Sequence, residues 1–449
     1  MTVRDSRIKD EDVRSTLFYI PYDWNGLPVM GFGWALLFWV VLSLGIMGWL
    51  IRKQGWNQET ASYIPFLGVV ALIIALFLPN MVEFAPGVAP GAKIPLGIPI
   101  RGFGVMMMTA MVAGVGLAMY RAWQMGVDPE AIISLAMWMI FPGIIGARLF
   151  FILQYHDEFL RPTIRETLLS LVDVTKGGLV VYGSVLAGVP FGILYLVRRG
   201  LPVLATLDII APGMVVGAAL GRIGCFLNGC CYGGECNWPV AMTFPPRAAP
   251  YLQDSPPYQR QHELGLLYGM KIGANERGQP VVERVISGGA AEQAGVKSGE
   301  VPTHINGQQV EKYHDALAAL GLAAKFVELT TTVGDVKRIT CAGWPGRSLP
   351  IHPTQLYSAL DATLLALVLW MLYPFRRRDG EIFAVLITVY PISRFLLEMI
   401  RSDEPGQFGT SLTISQWISL GIFFAAAGFW YFVEARPQGT ALPRLTKST

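Results

Sequence analysis

The sequence has 449 residues, of which 53% are hydrophobic and 15% are charged, whereas a soluble domain carries about 25% charged residues. This composition excludes an ordinary soluble domain and predicts a polytopic membrane protein. The formal net charge of +3 and the lack of a long basic block argue against nucleic acid as a partner. Five cysteines in a chain of this length do not form a disulfide scaffold.

Nine stretches approach the ~20 apolar residues that a helix needs to cross a bilayer. Six of them are predominantly apolar, and three are interrupted by ionisable groups. The sequence therefore predicts an all-α polytopic membrane protein. The apolar six are 31–51, 61–78, 102–120, 131–153, 177–197 and 412–433, and the interrupted three are 203–224, 355–374 and 382–400.

Loop charge predicts the orientation of these helices, because cytoplasmic loops carry an excess of Lys and Arg. Basic residues fall in alternate loops, together with the C-terminus, which we therefore expect in the cytoplasm. The N-terminal segment and the long segment 235–350 are then extracytoplasmic. The basic residues concerned are Arg52, Lys53, Arg121, Arg198, Arg199, Arg376, Arg377, Arg378 and Arg436.

Segment 235–350 is polar and too long for a plain loop. Its alternation and turn residues predict a strand at 281–286, a short helix at 290–294, a tight turn at Asn306-Gly307 and an amphipathic helix near 313–320. Through AGVKSGE and INGQQV, about 80 residues (roughly 262–343) resemble a bacterial extracytoplasmic PDZ domain.

PDZ domains bind an extended peptide end by adding it to a sheet edge. The resemblance therefore implies a peptide ligand, and the order of the elements places the peptide-cradling loop near 264–270. The alternative is a PDZ fold that serves only as a spacer or docking surface.

Charged residues inside predicted spans usually face a bundle interior or a wet cavity. Tyr390, Arg394, Glu398 and Arg401 are spaced i, i+4, i+8 and i+11, and so fall within about 40° of one another on one helix face. Arg394 and Glu398 can form an ion pair, which on its own could be purely structural. Other ionisable groups in the spans are Arg148, Asp208, Arg222 and Asp361.

Three arginines in one bundle, on three different predicted helices, favour a site for an anionic group, because guanidinium grips phosphate in a bidentate manner. His352, Gln355 and Tyr357 lie where an outer loop enters the next span and fit a polar rim around a cavity mouth. Gly177 and Gly183 open the fifth span, where glycine permits either ligand approach or simple helix packing.

Four of the five cysteines are close in sequence. Their spacing, C-x4-C-C-x4-C, does not match the usual zinc pairs, and we expect neither a metal nor a cofactor. Three interpretations stay open: a disulfide at the periplasmic face, a reactive thiol beside Arg222, and inert packing. The residues concerned are Cys225, Cys230, Cys231 and Cys236, with Cys341 as a further disulfide partner.

Seven strings occur in the order found in one enzyme family. They are IRGFG, GARLFF, GGLVVYGS, DIIAPGMVVGAALGRIGCFLNG, HPTQLY, YPISRFLLEMIRSDEPGQF and ISQWISLG. Together they resemble the prolipoprotein diacylglyceryl transferases, across seven spans between about 100 and 433. The resemblance implies a multi-pass protein of the bacterial inner membrane that uses phosphatidylglycerol and prolipoproteins and forms a thioether.

The resemblance divides the chain into five parts. Residues 1–30 are an N-terminal extracytoplasmic segment, and residues 31–99 hold two additional transmembrane helices with a connector. Residues 100–234 and 351–449 are the two parts of the transferase core, the second ending in a cytoplasmic tail. Residues 235–350 are the periplasmic insertion with the PDZ-like domain.

Site residues follow from the match of motifs. Arg222 and Arg394 correspond to arginines that would hold the lipid phosphate, with Glu398 orienting Arg394. The resemblance places Tyr182 among the catalytic residues. Substrate-binding residues implied by the motifs and the polar stripe are Arg148, Gly177, Gly183, Asp208, Cys225, Asn228, His352, Gln355, Tyr357, Tyr390 and Arg401.

The chain departs from the family motifs at three positions. The family's His-Gly-Gly reads Tyr182-Gly183-Ser184, and Cys225 and Cys230 stand where the family has asparagine and glutamate. Tyrosine has a pKa near 10 and is a poor base at neutral pH, so the general base is not identified. Alternative functions are a non-catalytic lipid-binding sensor or scaffold and a related transferase with another phospholipid or acceptor.

Overall fold

The computed structural model describes residues 16–86, 93–154, 159, 167, 170–171, 180–244, 255–275, 277–321, 326–332, 334–340, 347–404, 406–407 and 409–441. The chain divides into two compact units. The first holds Met1–Val105 and Gly224–Pro353, and the second holds Met106–Ile223 and Thr354–Thr449.

All nine predicted spans form helices whose ends lie within a few residues of the predicted ones. The second helix continues through a π turn (Ile73–Phe77) and a 3-10 turn (Leu78–Met81). The nine are α1 (Trp34–Gln54), α2 (Gln58–Leu72), α3 (Gly102–Gln124), α4 (Pro129–Gln154), α5 (Val181–Arg198), α6 (Val203–Asn228), α10 (Thr354–Leu372), α11 (Glu381–Glu398) and α12 (Ile414–Glu434).

Seven of these helices are long and apolar enough to cross a membrane, which confirms the prediction of a mostly helical polytopic membrane protein. The two others have 18 residues each. Helix α5 contributes a shorter apolar stretch, Gly183–Arg198, and α11 carries Glu381, Arg394 and Glu398. That α5 and α11 also cross the membrane stays a prediction.

In the first unit, a small antiparallel sheet joins the segments on either side of α1 and α2. Strand β1 (Thr16–Ile20) pairs with β5 (Lys93–Arg101), which also pairs with β4 (Glu83–Pro86). A two-stranded hairpin, β2 (Asp23–Trp24) and β3 (Leu27–Pro28), follows β1. The sequence analysis did not identify this sheet, because its strands are far apart in the sequence and β5 contains prolines and a glycine, which are rare inside strands.

The insertion also belongs to the first unit and contains the predicted elements. The short helix and the amphipathic helix form where expected. Its elements are α7 (Pro256–Glu263), β6 (Met270–Ala274), β7 (Pro280–Val285), α8 (Ala290–Gln293), β8 (Pro302–Ile305), β9 (Gln308–Gln309), α9 (Tyr313–Gly321), β10 (Phe326–Thr331) and β11 (Val336–Thr340).

Strands of the insertion form two antiparallel sheets. One is the β6–β7 hairpin, and the other has the order β11-β10-β8-β9. Asn306 and Gly307 join β8 to β9 with φ of 53° and 75°, the left-handed pair that a two-residue hairpin turn requires. The NG dipeptide therefore forms the tight turn that the sequence predicts.

The insertion has a hydrophobic core of its own. Both sheets and α9 contribute side chains that are fully buried, among them Val282, Ile305, Val327, Leu329 and Ile339, each 0% exposed. Burial of one such side chain stabilises a fold by about 1.5–3 kcal/mol. A core of this kind is what an independently folding domain needs.

In the second unit, glycines allow α4 and α5 to approach closely. A Cβ added at Gly146 would overlap the backbone oxygen of Gly183, and a Cβ added at Gly183 would overlap that of Gly146. Small residues at such crossings let helix backbones meet and pack by van der Waals contact. Close packing therefore explains Gly183, and its predicted contact with substrate stays a prediction.

Replacing Gly146 by alanine is expected to destabilise the protein by about 2–3 kcal/mol, because the new methyl group meets a backbone oxygen that cannot move aside. Gly116 on α3 is a matched control, since a Cβ there would meet nothing within 4 Å. Unfolding by SDS in mixed micelles measures the free energy of unfolding of both variants. Equal stability of Gly146→Ala and Gly116→Ala would contradict the close packing of α4 and α5.

Candidate active site

A small, partly open cavity in the second unit is lined by side chains from three helices. Arg222 comes from α6, Asp361 from α10, and Arg394 from α11. On α6 and α11 successive lining residues are three or four positions apart, and on α10 Asp361 and Ala362 lie three and four positions after Ser358, which places each set on one face. The lining residues are Ala218, Arg222, Ser358, Asp361, Ala362, Tyr390, Arg394 and Leu397.

The cavity therefore brings together the two arginines and Tyr390, as the sequence analysis expects. Its volume of about 10 Å³ is room for about one water molecule. A phosphate group is larger, so the lining side chains must move apart to admit one. Arg394 has a long flexible side chain that is 13% exposed, and a shift of its guanidinium is the simplest such movement.

Arg394 is held by a chain of ion pairs that runs through Glu398 to Arg401. Nη1 of Arg394 lies 2.7 Å from Oε2 of Glu398, which confirms the predicted i, i+4 pair. The same Oε2 lies 2.9 Å from Nη1 of Arg401. Arg401 also binds both carboxylate oxygens of Asp403, at 2.9 and 3.0 Å, and Glu404 at 3.3 Å.

Arg394 and Arg401 differ in how many carboxylates they contact. The side chain of Glu398 is 0% exposed, so its charge depends on its partners rather than on water. Arg401 contacts three carboxylates, whereas among the described residues the ion pair to Glu398 is the one that involves Arg394. An incoming anion would therefore be stabilised electrostatically most strongly on the cavity side of Arg394.

Helix α12 fixes this ion pair at its first turn. Thr413 caps the helix by a reciprocal box with Gln416, and its hydroxyl donates to Oε1 of Glu398 at 3.2 Å. Ser415 accepts a hydrogen bond from Nη2 of Arg394 at 3.2 Å. The sequence analysis missed both residues, although Thr-Ile-Ser-Gln at 413–416 is a capping-box signature.

Asp361 lines the cavity together with the two arginines. Its Oδ2 accepts a hydrogen bond of 2.8 Å from the hydroxyl of Ser393, which also lies 3.1 Å from the carbonyl oxygen of Tyr390 as a second acceptor. The acid inside the span was visible in the sequence, but its place in the lining of this cavity was not.

Asp208 is buried at the opposite end of α11. Its carboxylate accepts hydrogen bonds from the backbone N–H groups of Gly380 (2.7 Å) and Phe383 (2.9 Å) and so caps the first turn of that helix. Glu398 lies 15 residues further along than Phe383, roughly 20 Å at 1.5 Å per residue. Helix capping explains Asp208, and substrate binding by Asp208 stays a prediction.

Arg148 contacts backbone and aromatic groups. It donates from Nε to the carbonyl of Leu171 (2.9 Å) and from Nη2 to that of Ser170 (2.8 Å), and its guanidinium lies 5.0 Å from the ring of Phe159. These contacts give Arg148 a structural role. Its predicted role in substrate binding is an expectation that these contacts do not require.

Several predicted site residues belong to the first unit. The ring of His352 packs edge-on against Trp238 at 6.0 Å, while its backbone bonds to Gly233 and Gly234. Asn228 is the last residue of α6. The thiols of Cys225, Cys230 and Cys231 lie within 4.8 Å of one another.

The remaining predicted site residues lie either at the start of α10 or outside the described residues. In the second unit, Gln355 is buried and Tyr357 is half-buried on the first turn of α10. Gly177, the side chain of Tyr182 and Cys341 lie outside the described residues. The predicted role of Tyr182 therefore stays a prediction.

The fold and the cavity define a polytopic membrane protein with two arginines from different helices at one cavity. Residues 92–432 match the sequence model of prolipoprotein diacylglyceryl transferase. The chain therefore belongs to the prolipoprotein diacylglyceryl transferase family, as the order of its motifs predicts.

Relatives agree with this assignment. A protein of Rhodopirellula baltica named phosphatidylglycerol–prolipoprotein diacylglyceryl transferase is 34% identical over 443 residues, covering 92% of this chain and 88% of that protein. A protein of the same name from Clostridium tetani is 23% identical and covers 72% of this chain and 89% of its own length. One from Thermosynechococcus vestitus is 30% identical over 36% of this chain and 60% of its own.

Proposed function

We propose that this protein transfers the diacylglyceryl group of phosphatidylglycerol to the lipobox cysteine thiol of prolipoproteins. The observation that carries the proposal is that Arg222 and Arg394 line one cavity in a chain of this family. Guanidinium groups suit the phosphate of an anionic lipid. The surrounding apolar helices suit its acyl chains.

In the proposed reaction, the acceptor sulfur forms a bond to the diacylglyceryl carbon that carries the phosphate. The bond between that carbon and the phosphate oxygen breaks, and glycerol phosphate leaves with the electron pair. The thiol proton passes to a base that the described residues do not identify. Arg222 and Arg394 stabilise the negative charge that grows on the leaving phosphate, which is the largest electrostatic demand of such a step.

The proposal includes a location. The reaction takes place at the outer face of the bacterial inner membrane, because basic residues occupy alternate loops and positive loops stay in the cytoplasm. The insertion is then periplasmic and the C-terminus cytoplasmic. Cysteine labelling of 235–350 and of the C-terminus from either side of the membrane tests this orientation.

Complementation of a strain depleted of its own transferase tests the activity. We expect the wild-type chain to restore lipid-modified prolipoprotein, with phosphatidylglycerol as donor for the purified protein. Binding of phosphatidylglycerol without any modified product would favour the alternative, a non-catalytic lipid-binding scaffold. Product from a different phospholipid or acceptor would favour a related transferase.

We also propose that the insertion is a PDZ-like domain that binds a peptide segment of the acceptor protein. Within the described residues, β6 pairs only with β7, so its other edge can accept an added strand. Helix α9 packs beside β6, as one wall of a peptide groove. The alternative is that the domain acts as a spacer.

Replacing 262–343 by a short Gly/Ser linker is expected to lower kcat/KM for a full-length prolipoprotein about 10-fold, because the second attachment point is lost. A short lipobox peptide should be modified at the wild-type rate. The linker can be short, because Oε1 of Gln261 accepts a hydrogen bond from the backbone of Leu349 at 2.6 Å. No change for either acceptor would favour the spacer, and equal loss for both would mean damage to the core.

A further inference from the structure

Three thiols cluster at the end of α6, and the proposed transfer uses none of them. The Sγ atoms of Cys225, Cys230 and Cys231 all lie within 4.8 Å of one another, and each residue is half-buried. Among the described residues, no fourth Cys, His, Asp or Glu ligand atom joins this group. Cys236 is buried nearby in sequence but outside the cluster.

The backbone at the end of α6 brings two of these thiols together. Gly229 adopts a left-handed conformation with φ of 76° and donates to the carbonyl of Phe226 at 3.1 Å, while Cys230 donates to the carbonyl of Cys225 at 3.1 Å. This pair of bonds is the Schellman motif, in which the side chains at the two outer positions normally make a hydrophobic contact. Here those two positions are Cys225 and Cys230.

The third thiol joins the cluster through an unfavourable conformation. Cys231 has φ of 60°, a left-handed value that costs a non-glycine residue about 1–2 kcal/mol. The chain beyond it is held in place, since Tyr232 packs with Phe244 and Ile351. Such strain persists only where the surrounding structure holds it, and strained residues cluster at functional sites.

We propose that Cys225, Cys230 and Cys231 bind one thiophilic metal ion in a three-coordinate site, with Cu(I) as the best fit. Thiolate sulfur is a soft ligand that selects Cu(I), whereas a structural zinc site takes four ligands. Each thiol that binds gives its proton to solvent and a sulfur lone pair to the metal. The proposal is independent of the transferase reaction.

The geometry requires only a small adjustment. With metal–sulfur bonds of about 2.3 Å, three sulfurs in a trigonal plane are roughly 4 Å apart, so each pair of thiols need close by less than about 1 Å. Adjacent cysteines were expected not to share one ion. The left-handed conformation of Cys231 lets the thiols of Cys230 and Cys231 lie close together although the residues are adjacent. The cysteine spacing does not reveal this conformation.

The test uses the purified full-length protein in detergent under anaerobic conditions. Titration with Cu(I) against a chromophoric chelator should show one equivalent bound, and X-ray absorption should show three sulfur neighbours. Bound Cu(I) should protect three thiols from alkylation, as counted by intact mass. Cys225→Ser, Cys230→Ser and Cys231→Ser should each lower the Cu(I) affinity about 100-fold or more.

Cys236→Ser is the matched control and should bind Cu(I) as the wild type does. Serine keeps the backbone hydrogen bonds of the turn, and wild-type thermal stability of the apo variants shows that the turn remains. The proposal is overturned if the wild type binds no Cu(I), or if the three serine variants bind it as well as wild type. It is also overturned if Zn²⁺ excludes Cu(I) from the cluster of the reduced protein.

Discussion

Replacing Arg394 by glutamine is expected to lower kcat for diacylglyceryl transfer by about 10²–10³-fold, the usual cost of losing one charge-stabilising donor at a reacting centre. Arg394 lines the cavity, and its other face is held by Glu398 at 2.7 Å and Ser415 at 3.2 Å. These contacts hold its guanidinium at the cavity wall, from which it shifts only far enough to admit the phosphate. Single-turnover assays with phosphatidylglycerol and a lipobox peptide measure the effect.

Arg222→Gln is expected to give a similar loss, since Arg222 lines the same cavity from α6. The double variant should be less impaired than the product of the two single losses, because groups that act on one phosphate do not contribute independently. Lysine at either position keeps the charge but loses the bidentate grip. We therefore expect Arg222→Lys and Arg394→Lys to have rates between wild type and the glutamine variants.

Arg436→Gln controls for the removal of a positive charge from the same unit. Arg436 is exposed and its side chain lies over the ring of Phe432 at 4.4 Å, remote in sequence from both cavity arginines. Wild-type transfer by this variant, with loss in the other two, would support the phosphate-binding role. Transfer at the wild-type rate by Arg222→Gln or Arg394→Gln would contradict it.

The sequence predicts most of the fold because local signals are strong. The nine predicted spans form helices, and in the insertion the strand at 281–286, the two helices and the NG turn form where predicted, whereas β6, β10 and β11 were not predicted. The β1-β5-β4 sheet was not predicted, since its strands come from segments on either side of two helices. Pairing across such a distance leaves no local pattern, and Pro95 and Gly97 argue against a strand at β5 although its apolar residues alternate.

In the candidate site too, contacts within one helix were predicted and contacts between helices were not. The Arg394–Glu398 pair follows from helical periodicity and was predicted, whereas the contribution of Thr413 and Ser415 depends on how α12 meets α11. The motif match places Asp208 among the substrate-binding residues, and that role stays a prediction. Its two backbone hydrogen bonds at the start of α11 arise from tertiary packing, which no periodicity reveals.

Replacing Glu398 by glutamine is expected to destabilise the protein by about 3–5 kcal/mol, the cost of removing one partner from a buried ion pair. Glutamine can still accept the hydrogen bond from Thr413, but its amide nitrogen would face Arg394 and Arg401, which now contact Glu398 at 2.7 and 2.9 Å. Transfer should also slow, because Arg394 loses the carboxylate that orients it. Unfolding by SDS in mixed micelles measures the stability.

A double-variant cycle separates this positioning role from a direct one. If Glu398 acts through Arg394, then Glu398→Gln combined with Arg394→Gln should transfer no more slowly than Arg394→Gln alone. Glu398→Asp, which keeps the charge, should recover part of both stability and rate. Glu434→Gln, at the exposed end of α12, should change neither quantity. Fully multiplicative losses in the Glu398 and Arg394 double variant would show that Glu398 acts independently, because an orienting carboxylate has no effect once the guanidinium it orients is gone.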